Sequence, residues 1–324
     1  LIEENRFLSL TWALIFFPVS LIWLLGCHIK YLTTKKRFID IPVISIGNLE
    51  AGGTGKTPLT VEIGKILKKF FSKIYVVCYE KNQKTKDEGL VIANKLSEIR
   101  VVSGKNRKKL FWQMIKDKPE LVIMDDGFQY FEINNKIDIV ILDPETKTDF
   151  LIPAGRMRFP ISFLKYADII IVKKGLNKKK HYKKFLEKLD RFGKPIFTAR
   201  YIPLYLADVS GAKVPLSVIE NKRILALCGI AKPSSFITML KDFHPLEIYA
   251  AVYPDHFSYT QIDVQEIEKI FKTLNLDLLI TTTKDFVKLK KFELKVPVVS
   301  LEIKFEIEQQ EKFKKLMLDK LQLK

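Results

Sequence analysis

The stretch 42–60 constrains this chain more than any other. It reads Pro-Val-Ile-Ser-Ile-Gly-Asn-Leu-Glu-Ala-Gly-Gly-Thr-Gly-Lys-Thr-Pro-Leu-Thr. Val43 to Ile46 is a short β-branched run, expected to form a buried strand. It leads into Gly52-Gly53-Thr54-Gly55-Lys56-Thr57, and a helical pattern follows from Leu59 to Phe70. Strand, glycine loop, Lys-Thr and helix together describe a phosphate-binding loop. Glycines let backbone N–H groups turn inward on an anion, and the helix N-terminus adds partial positive charge. Lys56 is expected to reach the β- and γ-phosphates, and the Thr57 hydroxyl to ligate Mg²⁺. Glu50 stands where the common pattern has its first glycine.

Composition narrows what surrounds this loop. The 324 residues are 47% hydrophobic and 28% charged, enough for a sizeable core and against global disorder. The net charge of +18 suggests a polyanionic partner: nucleic acid, an anionic membrane surface or a phosphorylated substrate. A general bias toward Lys is the alternative reading of part of this charge. No basic module interleaved with aromatics is present, which disfavours nucleic acid. Cys27, Cys78 and Cys228 lie far apart in apolar company, without metal spacing or a disulfide framework, as in a reducing compartment. His28, His181, His244 and His256 are equally dispersed.

Ahead of the loop, Phe7 to Cys27 carries no charge, about the length of a bilayer core. Pro18 sits in its middle and is expected to kink such a helix. Trp12 and Trp23 lie toward its ends, and Lys30, Lys35, Lys36 and Arg37 follow directly. The acidic balance of residues 1–6 and the lack of a small-residue cleavage site argue against a cleaved signal peptide. Three readings stay open: a single span, a helix lying in the interface, or a buried core helix. The nucleotide machinery comes afterwards, so the segment reads as an anchor, not a transporter.

After the loop, apolar runs at 74–78, 99–102, 121–124, 137–142 and 168–172 alternate with helical patterns near 90–96, 107–116 and 178–189. That alternation predicts an α/β fold, a P-loop NTPase-like, mostly parallel sheet with helices on both faces. Residues 195–206 read as a linker. Alternation resumes with strands at 223–227, 246–252, 278–282 and 296–301, and helices at 234–241, 261–274 and 306–323. The expected organisation is an anchor helix with its basic flank over 1–37, a phosphate-loop core over 38–203, and a smaller C-terminal α/β domain over 204–324.

Leu121 to Asp126 has the form of a second nucleotide-binding motif: an apolar strand delivers carboxylates at its C-terminal end. One of Asp125 and Asp126 would hold Mg²⁺ opposite Thr57. Asp87-Glu88 offers a carboxylate to orient an attacking hydroxyl, although by spacing alone it reads as a helix cap. Pro254-Asp255-His256 and Thr282-Thr283-Lys284-Asp285 sit between strands and helices, each readable as a site or as structure. Arg156 and Arg158 suit a phosphate clamp or a solvated loop. The basic run 173–188 is a solvated helix, or a face for anionic headgroups.

Together these residues resemble the tetraacyldisaccharide 4′-kinases of lipid A biosynthesis, over nearly the whole chain. The matching stretches are Ile46-Gly-Asn-Leu49 with the Gly52 to Pro58 loop, Asp125-Asp126-Gly127-Phe128-Gln129, and Leu151-Ile-Pro-Ala-Gly155 with Arg158. Gly229-Ile230 with Pro233 and Phe236, Pro254-Asp255-His256 and Thr282-Thr283-Lys284-Asp285 complete them. The resemblance implies ATP- and Mg²⁺-dependent phosphorylation of the 4′-hydroxyl of a tetraacyl glucosamine disaccharide 1-phosphate, giving lipid IVA. It implies that Asp87 is the catalytic carboxylate, with His256 and Lys56 assisting, and that Gln129, Arg158 and Asp255 lie on the substrate side. It implies closure of two domains around the nucleotide. It also implies a location at the inner membrane, peripheral or held by the one helix, with the catalytic domains on the cytoplasmic side. The expected partners are the acylated disaccharide lipid and the anionic membrane surface, with no nucleic acid and no obligate protein partner.

The chain departs from that family's pattern on the acceptor side. Val77-Cys78-Tyr79-Glu80 replaces the usual Ser-Arg-Gly-Tyr, Gly89 a proline, Tyr130 a histidine and Phe159 an acid. Two other readings compete. A membrane-anchored ATPase switch commonly carries a second lysine before the paired glycines, and here that position is Ala51. A non-catalytic nucleotide-binding relative draws on the missing Arg-Gly-Tyr alone.

Overall fold

The computed structural model describes residues 2–51, 54–79, 83–144, 150–174, 179–230, 232–255 and 257–322, with the side chains at 2–12, 83–88, 107 and 179–181 outside that description. The chain forms two compact units, Leu1–Arg200 with Phe305–Lys324, and Tyr201–Lys304.

In chain order the elements begin with α1 (Ile2–Thr33), β1 (Val43–Gly47), α2 (Lys56–Leu67), β2 (Ile74–Tyr79), α3 (Gln83–Lys95), β3 (Arg100–Gly104), α4 (Arg107–Lys116), β4 (Leu121–Asp125), β5 (Ile137–Leu142), β6 (Ile169–Lys173) and α5 (Lys179–Asp190). They continue with β7 (Ile196–Ala207), β8 (Lys213–Val214), β9 (Arg223–Cys228), α6 (Pro233–Lys241), β10 (Glu247–Val252), α7 (Gln261–Thr273), β11 (Leu278–Thr282), α8 (Thr283–Leu289), β12 (Val298–Ile307) and α9 (Gln310–Lys320).

In the first unit the strands lie in the order β7-β6-β5-β1-β4-β2-β3, all parallel. Every residue of β1, β4 and β6 is buried, which is why these strands read as continuous apolar runs rather than alternating ones. From β1 the chain moves outward to β2 and β3 on one side, then returns to place β5, β6 and β7 on the other. The sheet therefore reverses beside β1, and a crevice opens at the carboxyl ends of its central strands. Ile46 lies opposite Asp125 there, so the two sequence motifs emerge side by side.

α1 is one helix through Pro18. Ala13, Ser20 and Cys27, two turns apart, are 3%, 3% and 7% exposed and form its packed stripe. His28 stacks edge-on against Phe163, and Tyr31 against Phe131. Large apolar side chains cover its other faces, among them Ile15, Ile22 and Leu25. The segment Ala13–Thr33 is long and apolar enough to cross a membrane by length and composition.

Two expectations for the second half change. The stretch read as a linker is strand β7, where buried Phe197 and Ala199 alternate with more exposed neighbours. Its aromatic, extended sequence is a strand pattern that Pro203 does not break. The last residues also differ: β12 runs on to Ile307 and the final helix starts only at Gln310. Residues 305–324, read from sequence as part of the second domain, belong to the first compact unit. The Glu308 N–H donates to the Thr198 carbonyl at 2.8 Å, Phe313 packs edge-on against Phe197, and the Gln310 amide donates to Glu62 of α2 at 3.0 Å.

In the second unit, β10, β9, β11 and β12 run parallel in that order, and β8 pairs antiparallel with the end of β7. α7 opens with a reciprocal capping box between Thr260 and Asp263.

Candidate active site

The site is built where β1 and β4 end. Gly47 closes β1 directly against Phe128: a Cβ added there would lie 2.3 Å from the Phe128 Cβ, so only glycine lets the two motifs approach this closely. The Gly127 N–H donates to the Ile46 carbonyl at 2.9 Å and locks that approach. Next along, the fully buried Asn48 braces the phosphate loop from beneath. Its Nδ2 donates to Thr54 Oγ1 at 2.8 Å, and its Oδ1 accepts from Lys56 Nζ at 3.3 Å. Gly55 turns the chain into α2 at φ 104°, in the left-handed region, and has no side chain to cap the helix. The first N–H groups of α2 thus face the site, where an anion satisfies them.

The carboxylates take distinct places. Asp125 is buried and accepts from Thr60 Oγ1 at 3.0 Å and from Thr57 Oγ1 at 3.5 Å. Asp126 adopts φ 57°, an uncommon backbone for a non-glycine residue that recurs at functional sites. Its carboxylate lies 3.6 Å from Lys56 Nζ and accepts from Arg158 Nη1 at 3.3 and 3.2 Å. Among the described residues no cluster of three or more His, Cys, Asp or Glu side chains forms. The oxygen set at this edge is Thr57, Asp125 and Asp126.

Arg158 comes from the loop after β5, which is laced to the lead of the phosphate loop. The Arg158 N–H donates to the Leu49 carbonyl at 2.7 Å, and the Ala51 N–H to the Arg156 carbonyl at 2.7 Å. The same loop is fastened to α1. Trp23 Nε1 donates to the Arg158 carbonyl at 2.8 Å, Ser20 Oγ donates to the Leu151 carbonyl at 2.9 Å, and the Ala154 N–H donates to Ser20 Oγ at 3.2 Å.

Lys56, Thr57, Asp125, Asp126 and Arg158 therefore converge, while Thr54 stands behind them as part of the brace. Gln129 is half-buried, and its Nε2 has no hydrogen-bond partner among the described residues. Burial, then the charge of Glu132, pushes the neighbouring Tyr130 phenol up to about 12, so it stays neutral at physiological pH. Asp87 lies on α3, with its side chain outside the described residues, as are Gly52, Gly53 and His256. In the second unit Asp255 pairs with Lys284 at 3.3 Å. The Thr282 to Asp285 motif is a structural brace there. Buried Asp285 accepts from the Gly229 N–H at 2.9 Å and from Thr282 Oγ1 at 2.7 Å, and its own N–H donates to Thr282 Oγ1 at 3.2 Å.

Sequence reasoning misses the bracing role of Asn48 and the stitches from Ser20 and Trp23. The Ser20 stitch alone has a sequence signal: Ala13, Ser20 and Cys27 are small residues at seven-residue spacing along a mostly bulky helix, which marks a face for close packing.

The family Tetraacyldisaccharide-1-P 4′-kinase matches residues 12–322. The tetraacyldisaccharide 4′-kinase of Syntrophus aciditrophicus is 29% identical over 319 residues, covering 87% of this chain and 85% of that protein. The one from Phocaeicola vulgatus is 30% identical over 357 residues, covering 94% and 93%. Among solved structures, LpxK from Aquifex aeolicus in complex with ATP shares the fold with a TM-score of 0.69 at 24% identity, over 95% of this chain and 99% of that one. With nearly its whole length matched, the chain belongs to the tetraacyldisaccharide-1-phosphate 4′-kinase family.

Proposed function

We propose that this chain transfers the γ-phosphoryl group of ATP to the 4′-hydroxyl of a tetraacyldisaccharide 1-phosphate, a step of lipid A biosynthesis. The observation that carries the reading is the convergence of Lys56, Thr57, Asp125 and Asp126 at one sheet edge, in a chain of this family. Phosphoryl transfer asks a protein mainly for positioning and charge stabilisation. The first turn of α2 and the loop glycines receive the triphosphate. Lys56, resting against Asp126 and Asn48, has only to exchange the carboxylate for a phosphate oxygen, while Arg158 keeps Asp126 in place.

The donor set suits Mg²⁺. One hydroxyl and two carboxylates are hard oxygen ligands, few enough to leave room for water and phosphate oxygens, as Mg²⁺ prefers. Thr57 and Asp125 would hold it, with Asp126 adjacent, and the ion would neutralise charge on the group in transfer. Asp87 is assigned as the carboxylate that accepts the proton of the acceptor hydroxyl, with His256 assisting. Gln129, Arg158 and Asp255 are assigned to the acceptor side.

The proposed location rests on α1. Its contacts with the first unit run from Ala13 to Tyr31, about 27 Å of helix at 1.5 Å per residue. That is nearly the ~30 Å thickness of a bilayer core, so a crossing would drag the attached loop into hydrocarbon. A helix fastened on one face and apolar on the others fits the plane of the interface instead. The site then sits at the cytoplasmic face of the inner membrane, where ATP meets a lipid acceptor.

The test is ATP labelled at the γ-phosphate, incubated with acylated disaccharide 1-phosphate in detergent micelles. Mg²⁺-dependent label in the lipid is expected. ATP hydrolysis that ignores the lipid would favour a nucleotide switch instead.

A further inference from the structure

Where α1 ends, Thr33, Thr34, Lys35 and Arg37 line an open surface cavity of about 290 Å³ together with Lys108 of α4 and Glu132. Three cations and one carboxylate line it. Lys108 pairs with Glu132 at 2.9 Å, so two positive charges remain in excess. Arg37 is fixed from two sides: its backbone N–H donates to the Glu132 carbonyl at 2.7 Å, and its guanidinium lies over the Trp112 ring at 5.1 Å. The Thr33 and Thr34 hydroxyls spend their protons on the carbonyls of Ile29 and Lys30, at 2.8 and 2.5 Å. An anion here is therefore received by Lys35, Arg37 and Lys108.

The rim decides which anion. Leu32 and Phe38 are 77% and 73% exposed, and they bracket Lys35 and Arg37 in sequence. Apolar side chains beside a cationic cavity, at the end of a helix whose outer faces are apolar, match a surface where acyl chains and headgroups meet. The volume is just below the roughly 300–1,000 Å³ of small-molecule pockets, which suits one headgroup phosphate better than an acylated disaccharide.

We propose that this cavity binds the phosphodiester headgroup of an anionic phospholipid. The proposal rests on the interfacial placement of α1. Lys35 and Lys108 offer point charges, and Arg37 a planar fork for phosphate oxygens. The headgroup fixes the rotation of α1 about its axis and so the face the kinase unit turns to the membrane.

The experiment is co-sedimentation of the full chain with vesicles of phosphatidylglycerol in phosphatidylcholine, against phosphatidylcholine alone. Lys35→Ala with Lys108→Ala removes two cavity charges. Lys30→Ala with Lys36→Ala removes two from the same flank that do not line the cavity. Diffuse attraction costs about fivefold per basic residue near the surface, equally for both pairs. The cavity pair is expected to lose at least a further fivefold, and only on phosphatidylglycerol. Equal losses would overturn the proposal, provided melting curves show both variants folded. Release from phosphatidylglycerol by chloride as readily as by inorganic phosphate at equal ionic strength would overturn it in favour of diffuse attraction. A raised KM for disaccharide 1-phosphate in phospholipid-free micelles, as large as the loss in vesicle binding, would reassign the cavity to the substrate. Wild type that sediments with neither vesicle overturns the interfacial placement as well. Turnover in micelles reports separately on the kinase reading.

Discussion

Trp23 donates its indole N–H to the backbone carbonyl of Arg158 at 2.8 Å, and the guanidinium of that same Arg158 holds Asp126 at 3.2 Å. Asp126 in turn lies 3.6 Å from Lys56. One residue thus joins the apolar helix to the charges at the phosphate loop. The fastening of α1 to the loop after β5 is part of what preorganises the site.

Replacing Trp23 with Phe keeps the ring and removes the donor. Among the described residues of α1, the Arg158 carbonyl then retains only the weaker Cys27 thiol, 3.5 Å away, as a partner. A net hydrogen bond is worth about 0.5–1.5 kcal/mol, so kcat/KM for the lipid should fall by roughly two- to tenfold. ATP affinity should hold, because nothing in the loop itself changes. Steady-state kinetics in micelles with isothermal titration of ATP checks both halves. Unchanged kcat/KM would mean that the stitch is not coupled to the site.

Asp126→Asn separates two roles with opposite signs. The carboxylate sits beside Lys56, where a triphosphate must come, so in EDTA its neutralisation removes a competing charge and should tighten ATP binding about fivefold. On the proposed reading, turnover with Mg²⁺ present should fall by about 100-fold or more, because the carboxylate that would sit beside an ion held by Thr57 and Asp125 loses its charge. Titration calorimetry with and without metal, followed by label transfer, reads out the pair. Weaker metal-free binding would show that Asp126 does not restrain Lys56.

How much of this is legible in the sequence depends on range. The phosphate loop and the paired aspartates are legible because backbone anion chemistry uses consecutive residues. Glycine, lysine and threonine at fixed offsets have few other uses at a strand-to-helix junction. The stitch from Trp23 is not, since its partner lies 135 residues on and the donor is a tryptophan that also suits a membrane interface. β7 is hidden for another reason: Pro203 and mixed burial make a long strand look like a connection. The final helix is visible as a helix, but its allegiance to the first unit is set by Phe313 against Phe197 and by Gln310 on Glu62, contacts with no local signature.

Asp87 on α3 is the proposed proton acceptor, and its replacement by Ala should lower kcat by about two orders of magnitude while ATP binding stays largely intact. Single-turnover label transfer with a parallel ATP titration distinguishes the steps. A near-normal rate would move the role to another carboxylate and leave Asp87 as a helix residue.

Glu308 provides a prediction about stability rather than turnover. Its carboxylate accepts from Thr198 Oγ1 at 2.5 Å and from Lys174 at 3.0 Å, with Arg200 at 3.8 Å, and so fastens the end of β12 to β7 and β6. The Thr198 hydroxyl first, and then Lys174, holds this carboxyl below the ordinary glutamate range. A carboxylate depressed in the folded state stabilises it fully above the unfolded value of about 4.3, and that contribution is lost as pH falls through the folded value. Glu308→Gln, which keeps the shape without the charge, should therefore cost about 1–2 kcal/mol at pH 7, at the lower end for charged hydrogen bonds because the group is partly exposed. The gap between wild type and variant should shrink from about pH 4.5 downward and close once the glutamate is protonated. Urea unfolding of both proteins at pH 7, 5 and 3.5 measures it. A gap that widens on acidification would mean that the charge of Glu308 does not secure the returning segment, leaving that work to Phe313 and Gln310.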